Sequence, residues 1–165
     1  MAIILVITVS LICYQEPALP IRPYQETDRP FLRTLYLAAR KTAWTWLDSS
    51  SWQLEDFDRA VLGEKVIVAE TDGKITGFAS IFSQENFLHN LFVAPQAQGQ
   101  GVGSQLIEAV EQSFTRTGAL KCLVKNKTAV AFYQHRGWEI ITTGDSPKGD
   151  YYLLHFRVKR KNNSK

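Results

Sequence analysis

Leu91-Phe92-Val93-Ala94-Pro95-Gln96-Ala97-Gln98-Gly99-Gln100-Gly101-Val102-Gly103-Ser104 is the stretch on which the fold turns. It opens as an apolar strand stopped by Pro95 and passes through three glycines alternating over five residues. It then enters a segment whose Val102, Leu106, Ala109, Val110 and Phe114 share one helical face. A helix that starts there leaves its first backbone N–H groups unpaired, with the positive end of the helix dipole behind them. Glycine lets the chain approach an anion closely, so a phosphate group suits this junction. A tight turn that uses glycine only for its dihedrals is the competing reading. Two common nucleotide loops are excluded by residues they cannot do without. The dinucleotide fingerprint needs G-x-G-x-x-G, and Gly99-x-Gly101-x-Gly103 brings the third glycine one residue early. A P-loop needs a lysine before its closing Ser or Thr, and here Gly103 stands directly before Ser104.

Upstream, Ile21–Pro23 is a short strand candidate. Asp28 with Pro30 marks a helix start, and Phe31, Leu32, Leu35, Ala38 and Ala39 recur at helical spacing behind it. Asp48–Ser51 breaks that helix. Ser50-x-x-Gln53 resembles a capping box for a second short helix carrying Leu54, Phe57, Val61 and Leu62 and ending at Gly63. The period then changes to that of strands: Lys65–Thr71, the turn Asp72-Gly73, Lys74–Phe82, and Phe87–Val93. Downstream, a helix is predicted over 103–117, a strand over 120–125 and a helix over 128–136. Strands over 138–143 and 151–158 follow, joined by the turn Asp145–Gly149. The order β-α-α-β-β-β-α-β-α-β-β mixes strand–helix–strand passages with plain hairpins. It predicts an α/β (α+β) single domain built on one mixed sheet.

Length and composition agree: 165 residues, 45% apolar and 21% charged, suit one soluble globular domain over residues 21–158. The net charge of +3 is local in origin. Five of the 19 basic residues (Arg157, Lys159, Arg160, Lys161 and Lys165) crowd the C-terminal end, and the rest carry 14 against 16 acidic groups. Residues 159–165 therefore read as a basic tail, and no nucleic-acid partner is expected. Cys13 and Cys122 lack metal-ligand spacing, so no metal is expected. Residues 1–20 open on an apolar run, Met1–Cys13, shorter than the roughly 20 residues a membrane span takes. No Lys or Arg precedes it, and the first basic residue is Arg22. The stretch is expected to be an extension outside the domain, with an extra strand or a signal as alternatives, and no membrane partner is expected.

The loop matches the signature Q/R-x-x-G-x-G/A as Gln98-x-x-Gly101-x-Gly103, and Leu91-x-Val93-x-Pro95 precedes it. A second block, Asn126-x-x-Ala129-x-x-Phe132-Tyr133-x-x-x-Gly137-Trp138, follows about 30 residues on, with Trp138 where phenylalanine is usual. Together they resemble the GCN5-related N-acetyltransferase (GNAT) superfamily over residues 21–158, and most closely its small bacterial acetyltransferases. The resemblance implies acetyl-coenzyme A as donor and transfer of its acetyl group to a primary amine of a small molecule, amino acid or protein. It implies a pyrophosphate cradle at Gln98, Gly99, Gln100, Gly101, Val102, Gly103 and Ser104. Leu91, Phe92 and Val93 would offer strand backbone to the pantetheine arm, with Asn126, Phe132 and Tyr133 beside that arm. It also implies a cytoplasmic monomer or homodimer.

Acetyl transfer needs an unprotonated amine, a stabilised carbonyl oxygen and a departing thiolate. A backbone N–H near Phe92 or Val93 is the candidate for the oxygen, and Tyr133 for protonating the sulfur. A phenol is ordinarily a weaker acid than a thiol, so that transfer runs uphill without help from the site. His89 is the first candidate base and Glu85 the second, although each is equally readable as a sheet or surface residue. Trp44, Trp46, Trp52, Tyr151 and Tyr152 are candidates for an acceptor pocket or for core. Asp48, Glu55, Asp56 and Asp58 would suit a cationic acceptor or merely solvate a helix. A coenzyme A-binding sensor or partner module without turnover is the alternative function. An acetyltransferase toxin acting on aminoacyl-tRNA would need a basic face, which the near-neutral body lacks.

Overall fold

The computed structural model describes residues 21–158; the apolar stretch 1–20 and the tail 159–165 lie outside the described residues. Seven strands and four helices follow the expected order: β1 (Ile21–Pro23), α1 (Arg29–Ala43), α2 (Asp56–Ala60), β2 (Lys65–Thr71), β3 (Lys74–Phe82), β4 (Phe87–Val93), α3 (Val102–Ser113), β5 (Gly118–Leu123), α4 (Lys127–His135), β6 (Glu139–Gly144) and β7 (Tyr151–Phe156). They form one mixed sheet, β1-β2-β3-β4-β5-β7-β6, in which only the β4–β5 pair is parallel.

Helices cover both faces, as alternation along β3 shows. Phe78 packs edge-to-face with Phe57 of α2 and Tyr36 of α1. Its neighbour Gly77 lies under Leu106 and Val102 of α3, and a Cβ there would come within 2.9 Å of Leu106. Successive strand residues point to opposite faces, so α1 and α2 cover one face and α3 the other. The buried faces of these helices close a single apolar core with the sheet.

Three local expectations are corrected. Asp28 does not cap α1 with its side chain. It is buried instead beneath the Arg22 guanidinium, which donates to it at 2.8 and 2.9 Å, while its Oδ2 also accepts the Gln25 N–H. The second helix shrinks to Asp56–Ala60, because Asp56 rather than Ser50 receives the local backbone donor, the Gln53 N–H at 2.9 Å. Leu54 and Leu62 are consequently exposed, as is Phe31 on α1. The third helix ends at Ser113 rather than Thr117, since Phe114 turns extended and folds its ring over Gly118.

Trp138 is 2% exposed, and a buried indole N–H needs an acceptor. Glu111 of α3 supplies it at 2.9 Å while also holding Arg136. The larger ring is thus accommodated by a carboxylate from the neighbouring helix.

Candidate active site

The site arises where the sheet fails to close. β4 and β5 pair only at Phe87–Ala119 and Leu88–Leu120, and past Leu88 the two strands part. A cleft of about 780 Å³ fills the gap. One wall is β4 from His89 to Val93, the other is Lys121, Cys122 and Leu123 of β5. The end of α1 at Thr42–Trp44 closes one mouth, and α3 and α4 the other. Along the parted edge of β4, alternate N–H and C=O groups face the gap with no strand beside them.

A second irregularity sits at the start of that edge. Leu88 matches Ile81 and Asn90 matches Ser80, which leaves His89 unmatched in a β-bulge. Asn90 fastens the bulge by donating to Ser80 Oγ at 2.8 Å and to the Ala60 carbonyl at 3.2 Å. His89 packs on Phe82 and Phe87, lines the cleft, and sets its Nδ1 against the Glu64 carboxylate.

The glycine loop closes the other end. Gly99 and Gly101 adopt left-handed φ angles of 75° and 82°, a conformation that disfavours any side chain. The first turn of α3 is bonded from Gln105 N–H to the Gly101 carbonyl at 3.1 Å, so the amides of Val102, Gly103 and Ser104 lack helical acceptors. Gln98 braces the loop to β4 through a contact of its amide nitrogen with the Val93 carbonyl at 3.5 Å. Gly103 lies against Val93 and Phe132, which joins the loop to α4.

Burial controls the titrating groups of the cleft. Desolvation, with a smaller contribution from neighbouring Cys122, pushes the Tyr133 phenol far above its ordinary value. Burial likewise pushes the Cys122 thiol up to about 11. Both are neutral at physiological pH. Asn126 lines the cleft and caps α4, its Oδ1 accepting the Ala129 N–H at 3.3 Å.

Most residues expected from the sequence meet at this cleft: Leu91, Phe92, Val93, Gln98, Gly99, Val102, Gly103, Ser104, Asn126, Phe132 and Tyr133, together with Gly101 and His89. Two do not. Gln100 folds its side-chain amide back onto the Gln96 carbonyl at 3.3 Å and is absent from the lining. Glu85 is exposed on the turn Ser83–Glu85, beside the end of β4 where the sheet is still closed. Of the aromatic candidates, Trp44 lines the cleft and packs on Phe92, whereas Trp46, Trp52, Tyr151 and Tyr152 do not line it. The acidic candidates Asp56 and Asp58 are taken by arginines: Asp56 by Arg40 and Arg59, Asp58 by Arg33. Glu64 was invisible in the sequence. Only the hairpin register, which pairs Lys65 with Ile81 and Phe82 with Phe87, carries it to His89.

The donor set fits acetyl-coenzyme A. An anion cradle of unpaired amides stands at one end, an open strand edge runs along the cleft, and a neutral phenol lies in its wall. Comparisons with known proteins agree. The family model described as the acetyltransferase (GNAT) domain matches residues 63–140. The peptidyl-lysine N-acetyltransferase YiaC of Escherichia coli is 31% identical over 126 residues, covering 73% of this chain and 84% of that protein. Among solved structures, a GCN5-related N-acetyltransferase from Rhodopseudomonas palustris superposes with a TM-score of 0.70 at 20% identity, over 86% of this chain and 97% of that one. YncA from Salmonella typhimurium, solved with its cofactor acetyl-CoA, superposes at 0.67 and 19% identity, over 88% and 97%. From motif, topology and homology together, the chain belongs to the GNAT family of acetyltransferases.

Proposed function

We propose that the chain transfers the acetyl group of acetyl-coenzyme A to a primary amine by direct attack of the amine on the thioester. The observation that carries this is the parting of β4 from β5 at Leu88, with the start of α3 at the far end of the opened edge. The donor supplies an acetyl group activated as a thioester. The amides of Val102, Gly103 and Ser104 bind its pyrophosphate, and the open edge of β4 orients its arm. A β4 amide facing the gap near Phe92 or Val93 stabilises the negative charge that grows on the carbonyl oxygen, being fixed before reaction begins.

His89 takes the proton from the incoming ammonium. With Glu64 on its Nδ1, the imidazole keeps its own N–H at Nδ1 and receives the ammonium proton on Nε2. Tyr133 gives a proton to the departing sulfur. Its raised pKa makes it a weaker acid, but the same apolar wall raises the Cys122 thiol, and a coenzyme thiolate leaving beside it meets the same penalty. Burial therefore raises donor and acceptor together, so the gap between them grows by less than the phenol's own shift. The protein acts in the cytoplasm as a monomer or homodimer. YiaC is a peptidyl-lysine N-acetyltransferase, so peptidyl-lysine belongs in the acceptor screen beside small-molecule amines and free amino acids.

The test is the melting temperature with and without saturating acetyl-coenzyme A, followed by thiol release in the presence of amines. A ligand at 100 times its dissociation constant stabilises by about 2.7 kcal/mol. A thermal shift with amine-dependent thiol release upholds the proposal. A shift without release from any acceptor makes the chain a binding module, and the absence of a shift removes the donor site.

A further inference from the structure

Beside the donor cleft, a smaller pocket of about 260 Å³ opens between the end of α1 and the β6–β7 turn, with Arg40, Trp44, Asp48, Trp52 and Lys148 among its walls. Trp44 is common to both cavities, so an acceptor in the cleft reaches this pocket past a single ring. We propose that it is a carboxylate subsite, and that the acceptor is an amine bearing a carboxylate, of the amino-acid class. The inference rests on the acetyltransferase reading of the cleft.

The argument is one of charge. Arg40 is 6% exposed and its guanidinium is sandwiched between the Tyr36 and Trp52 rings at 4.1 and 4.8 Å. Its Nη2 donates to Asp56 at 2.9 Å, yet its Nε is buried with no partner. Asp56 has nothing left to give: one oxygen accepts from Arg40 and the Gln53 N–H, the other from Arg59. Lys148 lies over the Trp44 ring at 5.1 Å and makes no ion pair with any described residue. Partial burial of this otherwise exposed side chain, and next the nearby Arg40, lower its pKa, while Asp56 opposes them. Asp48, the carboxylate on the pocket wall, spends an oxygen on the Ser50 N–H at 2.9 Å and does not reach Lys148. Arg40 thus keeps a buried donor that Asp56 leaves unused, beside Lys148, which is open to solvent and has no ion pair among the described residues, and a buried donor left without a partner is costly. One carboxylate from the acceptor answers both groups, accepting from Lys148 and from the Arg40 guanidinium that lies on the Trp52 ring. The same arrangement repels a purely cationic acceptor, because its nearest acids are already engaged.

The experiment compares L-amino acids with their carboxamides in the thiol-release assay, using wild type, Lys148→Gln and Lys148→Arg. The carboxamide amine is the less basic of each pair, so intrinsic reactivity favours the amide and a preference for the acid is diagnostic. The acid-to-amide ratio of kcat/KM is expected above one in wild type, about ten-fold lower in Lys148→Gln, and retained in Lys148→Arg. A ratio that Lys148→Gln leaves unchanged overturns the subsite. Should no acceptor be turned over, the indole resonances of Trp44 and Trp52 in coenzyme A-loaded protein are followed while sodium acetate is titrated against sodium chloride at equal ionic strength. Saturable movement with acetate, absent in Lys148→Gln, upholds the subsite even if acetyl transfer fails. Equal response to acetate and chloride overturns it whatever the fate of the acetyltransferase reading.

Discussion

The Glu64 carboxylate meets Nδ1 of His89 across the β2–β3–β4 meander, with the acid almost wholly buried (7% exposed) and the imidazole half open to the cleft (45%). The second oxygen of Glu64 is buried and has no hydrogen-bond partner. A buried carboxylate left half-satisfied is a poor device for stability, since an apolar residue of similar volume often holds a fold as well or better. In the proposed mechanism it serves to orient the imidazole.

That assignment separates folding from chemistry. Glu64→Leu is expected to leave the melting temperature level or raised, while kcat/KM for acetyl transfer falls by about ten-fold as the imidazole loses its fixed tautomer. His89→Gln, which removes the proposed base, is expected to cost about 100-fold. Thermal melts and steady-state kinetics on the two variants check this. A Glu64→Leu protein of unchanged activity and lowered melting temperature would make the pair structural.

The Gly101 position tests the donor loop. A Cβ there would meet nothing within 4 Å, so the demand is for the left-handed φ of 82° and not for space. Gly101→Val is expected to lose about 1–2 kcal/mol of stability or to flip the loop. A flipped loop turns its amides away and abolishes the thermal shift given by acetyl-coenzyme A, and a retained but strained loop weakens it. Gly101→Asn, of a type that tolerates left-handed backbone, should keep most of that shift despite its larger side chain. Equal losses in the two variants would point to bulk instead of backbone.

These two sites differ in how far the sequence reveals them. The cradle is local: glycine spacing, a strand before and an amphipathic helix after lie within one short run, and Gln98–Ser104 folds as that run implies apart from the side chain of Gln100. The Glu64–His89 pair is not local. It depends on a hairpin register and a β-bulge, neither of which leaves a mark in residue type, so Glu85 looked the nearer acid in sequence while Glu64 is the nearer in space. The parting of β4 from β5 is equally invisible, because parallel neighbours set their register through helices packed elsewhere. Strand and helix order was readable since it rests on period and punctuation. The short α2 and the early end of α3 were not, since side chains made those decisions: Asp56 over Gln53, and Phe114 over Gly118.

Tyr133 and Cys122 make the folded cleft sensitive to alkali. Both have pKa values raised by burial, so the folded state holds protons that the unfolded chain releases at high pH. Their contribution is intact below the unfolded values and is lost as pH rises through the folded ones. For Cys122 that window runs from 9.0 to about 11, a loss on the order of 3 kcal/mol by its top, and Tyr133 adds to it above 10.0. Melting temperature followed from pH 8 to 11 should fall less steeply in Cys122→Ala, and less steeply again in Cys122→Ala/Tyr133→Phe. Tyr133→Phe alone should keep the acetyl-coenzyme A shift and lose about 100-fold in kcat. Full activity in that variant would leave the sulfur to take its proton from elsewhere.

Asp28 sets the opposite limit. Its carboxyl is held below the ordinary range first by the Arg22 guanidinium and further by the Gln25 N–H, against the penalty of its burial. A depressed folded value means the unfolded chain binds the proton first. The stabilisation is therefore complete above the unfolded pKa of about 3.9 and drains away as pH falls through the folded value. Asp28→Asn should cost about 2 kcal/mol at neutral pH, the usual size for hydrogen bonds to a charged partner. Arg22 would not be stranded, because Glu70 still accepts from its Nε at 2.8 Å. The loss should shrink below pH 4, where the wild type surrenders the same interaction, so the two melting curves should converge in acid. Curves that stay parallel through that range would assign the acid sensitivity of the fold to other carboxylates, with Asp58 under Arg33 the next to replace.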